Sequence, residues 1–247
     1  MNDYSAQVIS NKAVGLDGKE LVVSIDNPPA VRGGQFAMLE TGRADLILRR
    51  PLGVSKVDGN KLSFIYQIKG GGTNALATLC KGDKLQIALP LGKPFELGGA
   101  KRVAIVGGGY GVIPLLLTAA QSAADKYIYN GFSCKQAVMC EKEFVAVGRL
   151  TVCTDDGSYG VKGYPTAALE ADFDKIKPDL IICCGPNPLM RAAKELGARK
   201  GIKTLLSLEQ RMGCGVGACL VCTCKAGGEN KRVCADGPVF DAAEVTL

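Results

Sequence analysis

The 247-residue sequence contains no histidine. That absence removes the imidazole general base, and with it any Ser-His-Asp or Cys-His catalytic arrangement. Clustered charge is also missing, because 30 basic and 24 acidic residues are interspersed to give a net charge of +6. A surface for nucleic acid or an anionic membrane would cluster its cations and interleave them with aromatics, so neither partner is expected. No run of about 18 apolar residues is present, which excludes a membrane-spanning helix. The opening Met1-Asn-Asp-Tyr-Ser5 lacks the basic and apolar regions of a secretory signal. At 47% hydrophobic and 22% charged residues, the chain is ordinary for a protein with real cores. Without an imidazole, the chemistry of an enzyme of this composition is expected to reside in bound cofactors.

Cysteine is abundant, with 11 residues, and without a secretory signal these point to a reducing cytoplasm. Cys214, Cys219 and Cys222 are separated by four residues and then by two, and Cys234 follows after eleven more. This is the spacing of a plant-type [2Fe–2S] loop, with Cys234 arriving from the next strand as the fourth ligand. Gly213, Gly215 and Gly217 supply the positive φ and close backbone approach that such a loop needs. Structural zinc prefers paired C-x2-C knuckles, of which this stretch has one. A Rieske centre is excluded because it needs two imidazoles. Cys224 is the spare by spacing, although it could replace Cys222 or Cys234.

The first segment, residues 1–98, shows short alternating runs at Ala6–Ile9, Glu20–Ile25, Gln35–Leu39 and Lys61–Ile68, separated by turn residues. These predict a small antiparallel β-barrel, with Asp58-Gly59 closing a hairpin. Arg49 and Arg50 stand at a strand end beside Pro51, and the guanidinium of Arg50 suits an anion. Lys69-Gly-Gly-Gly72-Thr73-Asn74 leads into a helical pattern that Thr73 or Asn74 is expected to cap, with its N-terminus available for phosphate. The second segment, residues 99–206, alternates strand and helix. Its start, Arg102 to Leu117, reads as a buried strand, a glycine turn (Gly107, Gly108, Gly109, Gly111) and an apolar helix, which is how a nucleotide-binding α/β unit begins. Asp155 and Asp156 lie beyond a strand end, where carboxylates suit a ribose hydroxyl. Cys184-Gly-Pro186 lies beyond another, with Cys183 on the opposite face. The remaining segment, residues 207–247, has few large apolar residues, so a cluster is expected to substitute for a core there.

Together these motifs resemble the ferredoxin–NADP reductase superfamily. The resemblance implies three parts: an antiparallel flavin-binding β-barrel, a parallel-sheet nucleotide-binding α/β domain and a small C-terminal [2Fe–2S] domain. It places FAD on Arg50-Pro51-Leu52-Gly53, on the strand end Gln67-Ile68-Lys69 and on Gly72-Thr73. Gly82-Asp83 and Pro90-Leu-Gly92 match the segment that closes the barrel. Gly53 stands where that superfamily usually carries a hydroxyl. Gly107 to Gly111 and Cys184-Gly-Pro match its nicotinamide domain, which places Cys184 near the nicotinamide ring.

The order of the three parts, with Thr154-Asp-Asp-Gly-Ser-Tyr-Gly160 and Glu209 to Cys219, is similar to the electron-transfer subunits of type B, NAD-dependent dihydroorotate dehydrogenases. That family implies FAD, one [2Fe–2S] cluster and NAD. It also implies a separate FMN-containing catalytic subunit that oxidises dihydroorotate for pyrimidine synthesis, in a heterotetramer of two plus two. The alternative is an NAD(P)H–ferredoxin reductase subunit of a transhydrogenase or sulfide dehydrogenase complex, which shares all three parts. Chemistry supports a flavin in either case, because nicotinamide exchanges electron pairs and a cluster exchanges single electrons.

Overall fold

In the computed structural model, which describes residues 2–247, the alternating runs of the first segment become antiparallel strands. These are β1 (Asn2–Val14), β2 (Gly18–Ile25), β3 (Phe36–Leu39), β4 (Arg50–Gly53), β5 (Lys56–Asp58), β6 (Lys61–Gln67) and β7 (Lys84–Leu91). Their order across the sheet is β4-β3-β7-β1-β2-β6-β5. Period-two alternation decides which side faces in: Leu21, Val23 and Ile25 of β2 are buried while Val22 and Ser24 are partly exposed. They pack with Leu62, Phe64, Leu85 and Ile87 in one core. The sheet curls until β4 also lies against β6. There, the backbone N–H and the hydroxyl of Ser55 both donate to the carbonyl of Ser63, each at 2.9 Å. Asp58-Gly59 makes the expected hairpin, with Gly59 at φ +57°. Arg50 to Gly53, read from sequence as a strand end, is itself a strand. It lies at the sheet edge, where the missing N–H of Pro51 costs no ladder bond.

Between β6 and β7 runs α1 (Gly71–Ala77). The expected cap is corrected here: Gly70, not Thr73 or Asn74, is the N-cap residue. Thr73 sits one turn in, and its hydroxyl reaches back to accept from the N–H groups of Lys69 (2.9 Å) and Gly70 (3.1 Å). Asn74 begins the ladder by donating its N–H to Gly70.

The second sheet has the order β11-β10-β9-β8-β12-β13-β16. Its members are β8 (Arg102–Gly108), β9 (Asp125–Phe132), β10 (Arg149–Thr154), β11 (Val161–Lys162), β12 (Leu180–Cys184), β13 (Thr204–Ser207) and β16 (Val239–Asp241). All pairs are parallel except β13 with β16. Helices α2 (Val112–Gln121) and α3 (Glu141–Val147) cover one face. Helices α4 (Pro165–Ile176) and α5 (Asn187–Lys200) cover the other. The strand order reverses at β8, between β9 and β12, and ligands bind such open sheets at the carboxyl ends flanking that reversal. Cys183 and Cys184 are both fully buried, on opposite faces as expected.

The tail carries a hairpin of β14 (Thr223–Ala226) and β15 (Glu229–Arg232), then β16. It is not held by a cluster alone, as the low apolar content led us to expect. Cys222, Val233, Cys234, Phe240 and Val245 share one core with Leu206 of β13 and with Met190 and Leu196 of α5. Chain contacts outweigh composition here because β16 extends that sheet, while the N–H of Lys93 in the first segment donates to Gly237 at 2.6 Å.

Candidate cofactor sites

The loop carrying Cys214, Cys219 and Cys222 is held by its own backbone. The N–H groups of Val216, Ala218 and Cys219 point at the sulfur of Cys214 from 3.4, 3.3 and 3.4 Å. Led by the Val216 bond, they pull that thiol down to about 6. The N–H of Gly217 points at Cys234 from 3.1 Å. Cys222 and Cys234 lie 3.2 Å apart, sulfur to sulfur, and burial, followed by the neighbouring Cys222, pushes the Cys234 thiol up to about 12. The four cysteines thus form two pairs, Cys214 with Cys219 and Cys222 with Cys234. Among the described residues no three Cys, Asp or Glu side chains converge on one point for a single ion. Two pairs fit two irons, each of which takes two thiolates, and a bound metal would deprotonate both buried thiols. Gly215 (φ +72°) and Gly217 (φ +84°) adopt the backbone that the loop requires. Cys224 lies outside both pairs, half-buried on β14, and all eleven cysteines are free.

The loop also touches the barrel. A Cβ on Gly215 would come within 2.7 Å of Met38 on β3. Met38 stands directly opposite Pro51 of β4 in the register of the two strands. The cysteine loop is therefore seated one strand away from Arg50-Pro51-Leu52-Gly53.

Arg50 and Gly72 meet as the phosphate reading requires. A Cβ on Gly72 would overlap the Arg50 guanidinium, so only glycine lets that cation lie against the first turn of α1. The guanidinium is steadied by the carbonyl of Leu48. A cation beside free helix N–H groups fits a pyrophosphate. Gly53 faces Pro114 of α2, and a Cβ there would make ordinary contact at 3.6 Å, so nothing nearby forces a glycine.

A cleft of about 1190 Å³ opens where the α/β sheet faces the barrel. Of the expected residues, Gln67, Lys69, Gly108, Gly109, Gly111 and Asp155 line it. Gly107 lies below, tight against Val112 and Asn130, and serves the packing of α2 on β8. Gly111 permits the helix to approach the backbone of Gly185, which a Cβ would meet at 2.6 Å. Asp156 does not line the cleft: its carboxylate accepts from the N–H (2.9 Å) and hydroxyl (2.7 Å) of Ser158 in a surface turn. Ile68 donates its N–H to the carbonyl of Asp17 at 2.9 Å. Cys184 lies under the cleft floor, and burial, helped by the nearby Glu209, pushes its thiol well above the ordinary value. A thiol so enclosed is held in its neutral form.

Three residues that the sequence did not single out as site residues also line the cleft. Asp17, in the β1–β2 turn, accepts from the side chain of Gln67 at 2.6 Å and from the hydroxyl of Tyr110 at 2.8 Å. Led by the Gln67 bond, these hold its carboxyl below the usual range. Tyr110 comes from the glycine turn, so this trio joins the barrel to the α/β sheet. Glu209 leads into the cysteine loop at an exposed position, and the desolvating cleft walls raise its carboxyl, partly offset by Lys69. Asp17 reads locally as a turn former, and no local signal distinguishes it.

The segment 209–246 matches the family model described as the iron-sulfur cluster binding domain of dihydroorotate dehydrogenase B. The chain is 40% identical to a Geobacillus thermodenitrificans protein named dihydroorotate dehydrogenase B (NAD(+)), electron transfer subunit, covering 100% of this chain and 98% of that one. It is 38% identical to the Caldanaerobacter subterraneus subsp. tengcongensis protein of the same name, with 97% of each covered. Among solved structures it is similar to an NADH-dependent reduced ferredoxin-NADP oxidoreductase, at 26% identity and a TM-score of 0.87 over 98% of this chain and 89% of that one.

Proposed function

The chain belongs to the family of dihydroorotate dehydrogenase B (NAD(+)) electron transfer subunits, and we propose that it carries electrons to NAD+ from a partner subunit that oxidises dihydroorotate. The partner is an FMN-containing catalytic subunit, in an assembly of two copies of each chain serving pyrimidine synthesis. A reducing cytoplasm is the setting, which the eleven free thiols support.

Residues 1–98 form the FAD-binding part, 99–206 the NAD-binding part and 207–247 the cluster part. FAD is held by Arg50, Pro51, Leu52 and Gly53, by Gln67, Ile68 and Lys69, and by Gly72 and Thr73. NAD lies in the cleft along Gly108, Gly109 and Gly111, with Asp155 toward the ribose and Gly107 and Cys184 beneath it. The [2Fe–2S] cluster is held by Cys214, Cys219, Cys222 and Cys234. A bound flavin exchanges electron pairs with a nicotinamide and single electrons with a cluster, which is the chemistry linking these groups. The chain's own residues place them: Arg50 neutralises phosphate charge, the loop N–H groups orient the thiolates, and the Asp17–Gln67–Tyr110 trio fixes the cleft walls. Among the described residues no side chain is arranged to deprotonate dihydroorotate, so that step is assigned to the partner.

The observation that carries this reading is the seating of the cysteine loop on Met38, opposite Pro51 of the flavin strand. The outer side of the same loop exposes Val216, Leu220 and Val221, at 44%, 62% and 56%. Such an apolar rim supports docking of the partner over the cluster. The likeness to the ferredoxin-NADP oxidoreductase structure favours a second reading, a reductase subunit feeding a different partner.

The test is anaerobic. The purified protein is reduced with NADH, and visible absorbance and EPR are recorded, alone and then with the candidate partner plus dihydroorotate. Flavin bleaching, a reduced-cluster signal and partner-dependent NADH formation are expected. Reduction by NADH without any dihydroorotate-dependent turnover would instead select the second reading.

A further inference from the structure

Beside the cysteine loop, Arg232 on β15 makes an ion pair with Asp236. Its Nε and backbone N–H donate to one carboxylate oxygen at 2.9 and 2.8 Å, and its Nη2 donates to the other at 3.0 Å. The fork leaves Nη1 free to donate to the carbonyl of Gly217 at 3.4 Å. That carbonyl belongs to the peptide unit whose N–H is carried by Ala218, and this N–H points at the sulfur of Cys214 from 3.3 Å. The preceding peptide offers the N–H of Gly217 to Cys234 from 3.1 Å. Gly217 thus straddles one sulfur of each pair, and only glycine permits it. Its φ is +84°, and a Cβ would press on Ala235 at 2.9 Å and on Arg232 Nη1 at 3.2 Å.

We propose that the Arg232–Asp236 pair tunes the reduction potential of the cluster through this one peptide, so that Arg232 is a positioning residue for electron transfer. The inference rests on the assignment of Cys214, Cys219, Cys222 and Cys234 as the ligands. A cation at the carbonyl end of a peptide polarises the amide and strengthens its N–H as a donor, because hydrogen bonds in a chain reinforce one another. Hydrogen bonds to cluster sulfurs are among the factors that set its potential. The added negative charge of the reduced state gains most from a stronger donor, so the relay raises the potential. Asp236 holds the planar guanidinium in the orientation that leaves Nη1 for Gly217. The pair as a whole is neutral, which allows its orientation to be separated from its charge.

The test is an EPR-monitored potentiometric titration of the full chain, with iron content and visible absorbance measured first to establish cluster loading. Arg232→Gln/Asp236→Asn replaces a neutral pair by a neutral pair, so a change in net charge cannot move the potential. The expected result is a loaded cluster whose potential is lower. At the wild-type midpoint, the ratio of reduced to oxidised cluster falls by about tenfold, which is about 59 mV for a one-electron couple. Arg232→Lys, which keeps the charge and loses the fork, is expected to shift the same way. Wild-type potentials in both variants would overturn the proposal. So would an unloadable double variant beside an Arg232→Lys protein of wild-type potential, since the pair would then be only a scaffold. A wild-type chain that binds no cluster would defeat the ligand assignment instead.

Discussion

Replacing Gly72 with alanine separates the stability of α1 from its service to the flavin. Gly72 is buried in the first turn of α1, and its φ lies outside the left-handed region, so the backbone accepts alanine without strain. Alanine is the better helix former by about 1 kcal/mol in a helix interior. The new methyl group would, however, occupy the place of the Arg50 guanidinium. Arg50 is long and flexible, so it moves away at little cost to the fold but leaves the anion site. A hydrogen bond to a charged group contributes about 1.5–3 kcal/mol. At about 1.4 kcal/mol per tenfold, losing one such contact weakens FAD binding by roughly 10- to 150-fold. The assay is titration of flavin-free protein with FAD, followed by flavin fluorescence, beside thermal unfolding of the same flavin-free samples. Gly72→Ala is expected to match or slightly exceed the wild type in unfolding temperature while losing affinity. Wild-type FAD affinity would refute the argument, because Arg50 would then not be the group holding the phosphate.

Cys222→Ser is expected to lose the cluster and stop transfer to the partner, while NADH still bleaches bound FAD. Loss of that half-reaction with FAD still bound would count against separate sites. Cys224 lies outside both sulfur pairs, so Cys224→Ala should leave the cluster absorbance intact, and a bleached protein would overturn the ligand set. Asp17 has a folded value held below the ordinary carboxylate value by Gln67 and Tyr110. Its contribution to stability is therefore present above the unfolded value and lost as pH falls through the folded one, in a window opening below about pH 4. Asp17→Asn should reduce the acid sensitivity of unfolding in that window, and an unchanged acid limb would show that the trio does not contribute.

Features confined to a few neighbouring residues were legible in the sequence. The spacing of Cys214, Cys219 and Cys222 among glycines describes one loop, whose backbone reach is fixed by residue count. Likewise, Arg102 to Leu117 describes a strand, a turn and a helix, since burial and glycine placement there are local properties. The strand alternation of β2 is of the same kind, whereas β6 is buried on both faces. Even so, local reading misplaced the cap of α1, because Thr73 and Asn74 both favour caps and only the start of the ladder at Gly70 chose between them. It also treated the tail as nearly coreless, because Val233, Phe240 and Val245 are few in sequence and find their neighbours on β13 and α5, far back along the chain.

The cleft required the tertiary structure. Asp17, Gln67, Tyr110 and Glu209 come from a hairpin turn, a strand end, a glycine turn and the approach to the cysteine loop, and strand order alone brings them together. The same holds for Met38 beneath Gly215 and for Arg232 behind Gly217. By itself, the sequence determined which groups the chain can hold, since ligand spacing and turn chemistry are short-range. Only the packing of the two sheets and the tail decided how those sites face one another, since that depends on contacts between residues far apart along the chain.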